Sequence, residues 1–203
     1  MKIYLSTGGF QKKNPTEMIR IFLKNKILNI EISGGKFELS FFKKIRELYK
    51  KKDTNIMLHN YFPYYKKSFV FNLASQNKKI VKKSLNLAKN GIRINSNLNS
   101  KFYAFHAGFL FDPKINMLGD KPVPKKIINR KKALASFIKN VKILSKYAYK
   151  KKIKLLIENN VVSENQYLKY NYKPLMCDIK ESIFIMKNTP DNVSLLLDFA
   201  HLK

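Results

Sequence analysis

Short apolar segments alternate with longer lysine-rich amphipathic segments along the chain, and this alternation restricts the fold more than any other feature. Six segments have the length and composition of buried strands, namely 3–6, 28–33, 55–59, 102–106, 153–158 and 193–198. Five segments have helical periodicity, namely 15–25, 39–51, 77–90, 131–150 and 178–187. Strands that alternate with helices are typical of an α/β fold built on a parallel sheet or barrel. We therefore expect one domain over residues 1–203, with helices outside a parallel sheet.

Two connections are longer than loops of such folds usually are. Residues 60–75 carry six aromatic side chains, and residues 107–129 carry three prolines and two glycines. Both follow a predicted strand, and the functional sites of parallel barrels lie at the carboxyl ends of the strands. We expect the first loop to fold over that end, with Tyr61, Phe62 and Tyr64 as walls of a pocket. The alternative is that its aromatic rings pack outside, against a helix.

The chain is strongly basic, with 41 lysines and arginines against 13 aspartates and glutamates and a net charge of +28. Such a surface attracts phosphorylated substrates and nucleic acid. An AT-rich coding sequence also explains a lysine excess, and only four of the basic residues are arginine, the residue that binds phosphate with two hydrogen bonds. No apolar run reaches the roughly 18 residues of a membrane span, so no membrane partner is expected. The single cysteine, Cys177, fits a reducing, cytoplasmic location.

Polar residues occur at the ends of the second to sixth predicted strands, after the apolar residues of each strand. The residues are Glu31, His59, His106, Glu158, Asp198 and His201, and they include all three histidines of the chain. Successive side chains of a strand point in opposite directions, so each carboxylate lies on the face opposite its branched apolar neighbour. A buried carboxylate is costly without a cation or a hydrogen-bonded ligand. Carboxylate and imidazole ligands suit a divalent ion such as zinc, manganese or cobalt, and carboxylates alone suit magnesium.

These strand ends resemble a known family, the xylose-isomerase-like TIM barrels, which include sugar and sugar-phosphate isomerases and epimerases and the endonuclease IV type of apurinic endonuclease. The segments that carry the resemblance are Phe105-His106-Ala107-Gly108, Ile157-Glu158-Asn159, Leu197-Asp198-Phe199-Ala200-His201 and, more weakly, Leu58-His59-Asn60-Tyr61-Phe62-Pro63 with Phe71-Asn72-Leu73-Ala74-Ser75. The resemblance covers essentially the whole chain and implies a TIM barrel. A complete barrel has about 250 residues, so we expect six of its eight strands here and an incomplete C-terminal part. Exposed outer strands would favour a homo-oligomer.

The resemblance also implies roles for individual residues. Glu158 and Asp198 correspond to metal ligands, and Glu158 also to a catalytic acid/base. His201 corresponds to a histidine that contacts substrate in the epimerases or a further zinc in the nuclease, and we count it with Glu158 as catalytic. His59 and His106 correspond to zinc ligands in the nuclease branch and to substrate-pocket residues in the isomerase branch. We expect the substrate-binding set to be Glu31, His59, Asn72, His106 and Asn159.

The sequence is compatible with three functions. The first is a metal-dependent isomerase or epimerase of a small sugar or sugar phosphate, which transfers a proton next to a carbonyl. The second, less favoured, is an apurinic-site endonuclease acting on nucleic acid, against which Ser6-Thr7-Gly8-Gly9 stands where that branch would have a histidine. The third is a non-catalytic barrel, because a chain without the last two strands would be weak in metal binding and turnover.

Overall fold

A six-stranded parallel sheet forms the centre of the protein in the computed structural model, which describes residues 2–9, 14–33, 40–49, 54–60, 62 and 69–201. The strands are β1 (Leu5–Ser6), β2 (Asn29–Ile32), β3 (Asn55–His59), β4 (Phe102–His106), β5 (Lys154–Glu158) and β6 (Val193–Leu196). They lie side by side in chain order, and every neighbouring pair is parallel. This arrangement is the wall of a (β/α) barrel, as the strand–helix alternation predicts.

The described part of the chain has six α-helices between its strands. They are α1 (Pro15–Lys24), α2 (Phe41–Tyr49), α3 (Lys78–Asn97), α4 (Arg130–Lys150), α5 (Glu164–Tyr170) and α6 (Ile179–Lys187). Five of them begin at a side chain that accepts a hydrogen bond from a backbone N–H of the first turn, namely Asn14, Asn77, Asn129, Ser163 and Asp178. Within the described residues, none of these helices is long and apolar enough to cross a membrane.

The structure differs from the predicted helices in two places. Helix α3 continues to Asn97, beyond the expected end at residue 90, and passes through Gly91. A Cβ atom at Gly91 would lie 2.5 Å from the Tyr103 ring, so the glycine allows the helix to approach β4 closely. Helix α5 was not predicted, although Ser163 followed by Gln166 is the pattern of a helix start.

Alternation along each strand separates an apolar outer face from a polar inner one. Ile30, Leu58, Phe105 and Ile157 are fully buried between the sheet and the helices. The residues next to them point into the barrel, and at the carboxyl ends of the strands these are polar. The hydrophobic layer therefore fixes the direction of the polar side chains.

The described part of the aromatic loop packs outside the sheet. Phe62 is buried with its ring 4.6 Å from that of Phe41 on α2, and Phe71 lies 5.9 Å from Phe105 on the outer face of β4. The expectation that Phe62 walls the pocket is therefore wrong, because the ring is taken up by a helix contact. Tyr61 and Tyr64 lie outside the described residues.

Candidate metal and acid/base site

The register of the sheet brings four polar side chains to the carboxyl end of the barrel. His106 ends β4 directly beside Glu158, which ends β5. His59 ends β3 and pairs with Ala104, two residues before His106, while Glu31 pairs with Met57, two residues before His59. Paired residues of parallel strands point to the same face, so the four side chains form a staggered row inside the barrel.

Glu158 lies at the centre of this row and contacts three imidazoles. Its Oε2 atom is 2.9 Å from His59 Nε2 and 3.7 Å from His106 Nδ1, and its Oε1 atom is 3.5 Å from His201 Nδ1. Only 3% of Glu158 is exposed. All three histidines singled out in the sequence therefore meet at one carboxylate.

The segment after β6 adds the second half of the site. A short 3-10 turn (Phe199–His201) places His201 Nε2 3.5 Å from Asp198 Oδ2. His201 Nδ1 lies 2.8 Å from the backbone oxygen of Asn159. Because a carbonyl oxygen only accepts hydrogen bonds, Nδ1 carries the proton, and in the neutral ring Nε2 keeps its lone pair for a ligand or a proton.

Asn159 holds this second half in position. Its Oδ1 atom accepts a hydrogen bond of 2.7 Å from the backbone N–H of Asp198, and its Nδ2 atom donates one of 3.3 Å to the Asp198 carbonyl. Asn159, which the sequence predicts to bind substrate, therefore hydrogen-bonds the backbone of Asp198, the residue with the second carboxylate. It is a positioning residue.

His59 lies between two carboxylates. Its Nδ1 atom is 3.6 Å from Glu31 Oε1, on the side opposite its contact with Glu158. Glu31 in turn accepts a hydrogen bond of 2.8 Å from the Ser6 hydroxyl, which is also 2.8 Å from the Ser33 hydroxyl. Ser6 at the end of β1, itself in contact with Ser33 just after β2, therefore fixes Glu31, and Glu31 orients the imidazole that faces Glu158. No pattern in the sequence singles out Ser6 and Ser33 for this support.

The electrostatics of the row follow from burial and neighbouring charge. Burial lowers the pKa of His59, but Glu31 and Glu158 more than offset it, so the pKa lies above its ordinary value. Burial raises the pKa of Glu158, but His59 and then His106 outweigh it, and the pKa lies below its ordinary value. Burial, with the charge on His59, lowers the pKa of His106 to about 3. Burial raises the pKa of Glu31. The neighbouring charges thus favour the ionised form of Glu158 and the protonated form of His59, while burial keeps His106 neutral.

The donor set fits a divalent metal ion. Glu158 Oε2 is buried, and within the described part of the chain no aligned hydrogen-bond donor reaches it, since the contact with His59 is an ion pair of poor alignment. An unfilled buried carboxylate oxygen is costly, and a cation removes that cost. Two groups have ligand atoms that all lie within 4.8 Å of one another: His59, His106 and Glu158, and Glu158, Asp198 and His201. Mixed carboxylate and imidazole ligands suit zinc, manganese and cobalt.

Asn72, which the sequence predicts to bind substrate, has its side-chain amide engaged in hydrogen bonds to other parts of the protein. Its Nδ2 atom donates to the carbonyls of Phe109 and Phe111 and to Asp112, and its Oδ1 atom accepts from the backbone of Ala74 and Phe109. The side chain is fully buried. Because these contacts take up its donors and acceptors, Asn72 joins two loops, and we leave it out of the substrate-binding set.

A cavity of about 300 Å³ opens beside the cluster. His106 and His201 form one end of it, and aromatic residues Phe109, Phe111 and Tyr172 line its walls. The loop of residues 107–129 closes it, since Gln166 of α5 donates to the carbonyls of Gly119 and Lys121 at 2.9 Å each. The loop of residues 107–129, and not the aromatic loop, therefore forms a pocket at the strand ends. Its hydrogen bonds to α5 could not be predicted from the sequence, because that helix itself was not predicted.

The (β/α) wall with carboxylates and imidazoles at its carboxyl end defines the class as TIM barrel. The model of the xylose isomerase-like TIM barrel family matches residues 23–203, and the chain belongs to that family. The resemblance that the strand-end motifs carry is confirmed. No curated protein sequence matches the chain.

Solved structures share the fold at low sequence identity. A D-tagatose 3-epimerase-like protein has a TM-score of 0.74 at 17% identity, over 99% of this chain and 66% of that protein. D-psicose 3-epimerase from Clostridium cellulolyticum H10 with D-tagatose has a TM-score of 0.70 at 14% identity, over 100% and 65%. Endonuclease IV from Thermus thermophilus has a TM-score of 0.56 at 13% identity, over 98% and 62%. The chain therefore spans about two thirds of the length of these proteins or slightly less.

Proposed function

We propose that the protein transfers a proton next to the carbonyl of a small sugar or sugar phosphate, as a metal-dependent isomerase or epimerase. One observation carries this proposal: the buried, ionised Glu158 faces three imidazoles at the mouth of the barrel and keeps one oxygen without an aligned donor among the described residues. A base of this kind, next to groups that stabilise negative charge on oxygen, is what enolisation requires.

Glu158 and Asp198 are the residues that would hold the metal ion, whose chemistry is to polarise the substrate oxygens. Glu158 removes the proton from the carbon beside the carbonyl. The electron pair of the broken C–H bond forms the carbon–carbon double bond of an enediolate, and the carbonyl oxygen takes the negative charge. Return of a proton to the former carbonyl carbon, with transfer of the hydroxyl proton of the deprotonated carbon to the enolate oxygen, gives the isomer. Return of a proton to the opposite face of the deprotonated carbon restores the original carbonyl and gives the epimer.

Three further residues support this step. His201, whose Nε2 keeps its lone pair when neutral, is the second proton-transfer group. His59, held by Glu31, keeps Glu158 ionised and oriented, and so acts as a positioning residue. His106 is neutral and borders the cavity, where its ring can hydrogen-bond a substrate hydroxyl.

The cavity supports a small substrate. Its volume of about 300 Å³ is at the small end of the range of ligand pockets. Aromatic walls with a few polar groups at one end suit a monosaccharide, whose C–H faces pack on rings while its hydroxyls bind the polar end.

The direct test is hydrogen exchange in heavy water with Mn²⁺ or Co²⁺ present. The protein is incubated with ketohexoses and with pentulose phosphates, and NMR follows the loss of carbon-bound hydrogen. We expect exchange at the carbon next to the carbonyl with at least one substrate, and none with Glu158→Gln. The variant His201→Asn should also lose exchange, because it removes the second proton-transfer group. Absence of exchange with every sugar, although metal binds, would reject the proposal and leave a carbohydrate-binding barrel.

A second candidate is cleavage at abasic sites in DNA. The grouping of His59, His106 and Glu158 within 4.8 Å favours it, because zinc bound there could activate water for attack on a phosphodiester. Against it, Ser6 occupies the end of β1 and is engaged with Glu31. An oligonucleotide with one abasic site distinguishes the two, since the zinc-loaded protein cleaves it under this second candidate and leaves it intact under the first.

A further inference from the structure

The two longest helices carry many positive charges and no carboxylate of their own, although Arg130 at the start of α4 pairs with Glu181 of α6. Helix α3 has six lysines and arginines and helix α4 has seven, and neither contains an aspartate or glutamate. Each of the other four described helices is shorter and contains one glutamate. An AT-rich coding sequence explains frequent lysine along the whole chain, but it does not explain why the glutamates of the described helices all lie on the four shorter ones. Composition bias alone therefore does not explain the separation of charge.

These two helices pack against each other, so their charges form one surface. A groove of about 380 Å³ runs between them on the outside of the barrel. Lysines reach it from both sides, Lys78, Lys82 and Lys89 from α3 and Lys139 from α4. Asn86 and Ser136 supply further hydrogen-bonding groups. None of these residues belongs to the Glu158 cluster, so the groove is a separate site.

Hydrogen bonds hold the two sides of the groove together. Ser136 donates to the carbonyl of Ser75 at 3.0 Å, and Asn140 donates to the carbonyl of Leu73 at 2.8 Å. Gln76 donates to the carbonyl of Lys132 at 3.3 Å. The segment that precedes α3 is thus tied to α4, which gives the groove a rigid floor.

The arrangement of the lysines is unfavourable in the absence of an anion. Lys78 and Lys79 occupy the first turn of α3, where the helix dipole favours negative charge. Lys78 with Lys82, and Lys79 with Lys83, are like-charge pairs four residues apart, each unfavourable by about 0.2–0.5 kcal/mol. A bound anion removes both kinds of repulsion. We propose that this groove binds the phosphodiester backbone of a nucleic acid.

The shape of the site favours a chain over a membrane surface. The lysines from Lys78 to Lys89 extend over about 16 Å, at a rise of about 1.5 Å per residue, comparable with the rise of about five base pairs. The headgroups of a bilayer lie in one plane and do not enter a groove between helices. Lysine binds phosphate as a point charge, so the expected binding depends on salt and not on sequence.

The test uses fluorescence anisotropy with a labelled 30-base-pair DNA duplex and a labelled 30-nucleotide RNA between 50 and 200 mM salt. The groove variant is Lys78→Gln/Lys82→Gln/Lys139→Gln, in which all three lysines are exposed. The matched control is Lys24→Gln/Lys180→Gln/Lys187→Gln, which removes the same charge from exposed positions on α1 and α6. We expect the groove variant to lose at least tenfold in affinity at 100 mM salt and about 2–3 units of salt slope, and the control to lose threefold or less.

Equal losses in both variants would overturn the proposal, because they would indicate attraction by net charge alone. Absence of binding to either nucleic acid at 50 mM salt would also overturn it. Vesicles of phosphatidylcholine and phosphatidylserine form a third arm. Tighter binding to these vesicles than to DNA or RNA, lost in the groove variant, would assign the groove to a membrane instead. The test does not depend on the proposed sugar chemistry, and Glu158→Gln should bind nucleic acid as the wild type does.

Discussion

Two buried polar clusters lie at the same end of the barrel and differ in how their polar atoms are partnered. Around Asn72, the side-chain amide makes five hydrogen bonds within the protein, four of them to backbone groups of two loops. Around Glu158, the contacts are between side chains that titrate, and one carboxylate oxygen has no aligned donor among the described residues. The polar atoms of the Asn72 side chain all have hydrogen-bond partners within the protein, whereas Glu158 needs a ligand to satisfy its second oxygen.

The difference separates a structural role from a functional one for buried polar residues. Satisfied buried groups stabilise a fold, while unsatisfied ones are retained at a cost to it. Substitutions in the Asn72 cluster should therefore change stability, and substitutions in the Glu158 cluster should change ligand binding.

The largest effect on stability is expected for Asn72→Ala. It leaves the N–H groups of Ala74 and Phe109 and two loop carbonyls without partners, and each such buried group costs about 1–3 kcal/mol. We expect the free energy of unfolding in urea to fall by about 3–4 kcal/mol. Asn86→Ala, on the exposed face of α3, is the control and should change it by less than about 0.5 kcal/mol. A small loss for Asn72→Ala would remove the contrast between the clusters.

A steric test of the same cluster is Gly108→Ala. A Cβ atom there would lie 2.3 Å from the Ala74 Cβ atom and 3.0 Å from Asn72 Oδ1. Displacing backbone to make room costs about 1–3 kcal/mol, and we expect about 2–3 kcal/mol in the same unfolding experiment. Gly9→Ala, whose Cβ would meet no atom within 4 Å, is the control. Equal stability of the two variants would mean that the loop junction is loose.

Glu181 sharpens the comparison because its carboxylate is largely buried like that of Glu158 but has partners like Asn72. Arg130 binds it through Nε at 2.6 Å and Nη2 at 2.8 Å, and the Met176 N–H donates to it at 2.8 Å. We expect Glu181→Gln to lower the free energy of unfolding by about 2 kcal/mol and to leave metal affinity unchanged. If the metal affinity fell as well, the loss of a buried negative charge would explain the effect of Glu158→Gln, and the lack of hydrogen-bond partners at Glu158 would not be needed.

The smallest effect is expected for Asp178, the N-cap of α6. Its partly exposed carboxylate accepts a hydrogen bond from the Glu181 N–H and one from Lys173, each 2.8 Å long, and the Lys173 contact holds its pKa below the ordinary value of 3.8. Asp178→Ala should cost about 1 kcal/mol at pH 7. A lowered pKa stabilises the fold above the unfolded-state pKa, and this part is lost as the pH falls through the folded-state value. Urea unfolding at pH 7, 4 and 3 should therefore show a shrinking difference from the wild type. A difference that grows toward pH 3 would contradict the sign.

Much of this fold was readable from the sequence, because apolar alternation and strand-end polarity are local signals. Strands β3 and β4 were predicted with their observed bounds, and the polar row of Glu31, His59, His106 and Glu158 followed from the same pattern. The partners of Asn72 could not be read in this way, because they come from a loop about 37 residues later in the chain. Long-range pairing of loops leaves no periodicity in the sequence.

The measurement that tests the central claim most directly is calorimetric titration of Mn²⁺ and Zn²⁺ into the wild type, Glu158→Gln and Glu181→Gln. The two variants carry the same chemical change at two largely buried carboxylates. We expect one ion to bind the wild type and Glu181→Gln with similar affinity, and Glu158→Gln to bind at least 100-fold more weakly while its circular dichroism spectrum stays that of the folded protein. Similar affinity in all three proteins, or no binding to the wild type, would show that the Glu158 cluster is not a metal site.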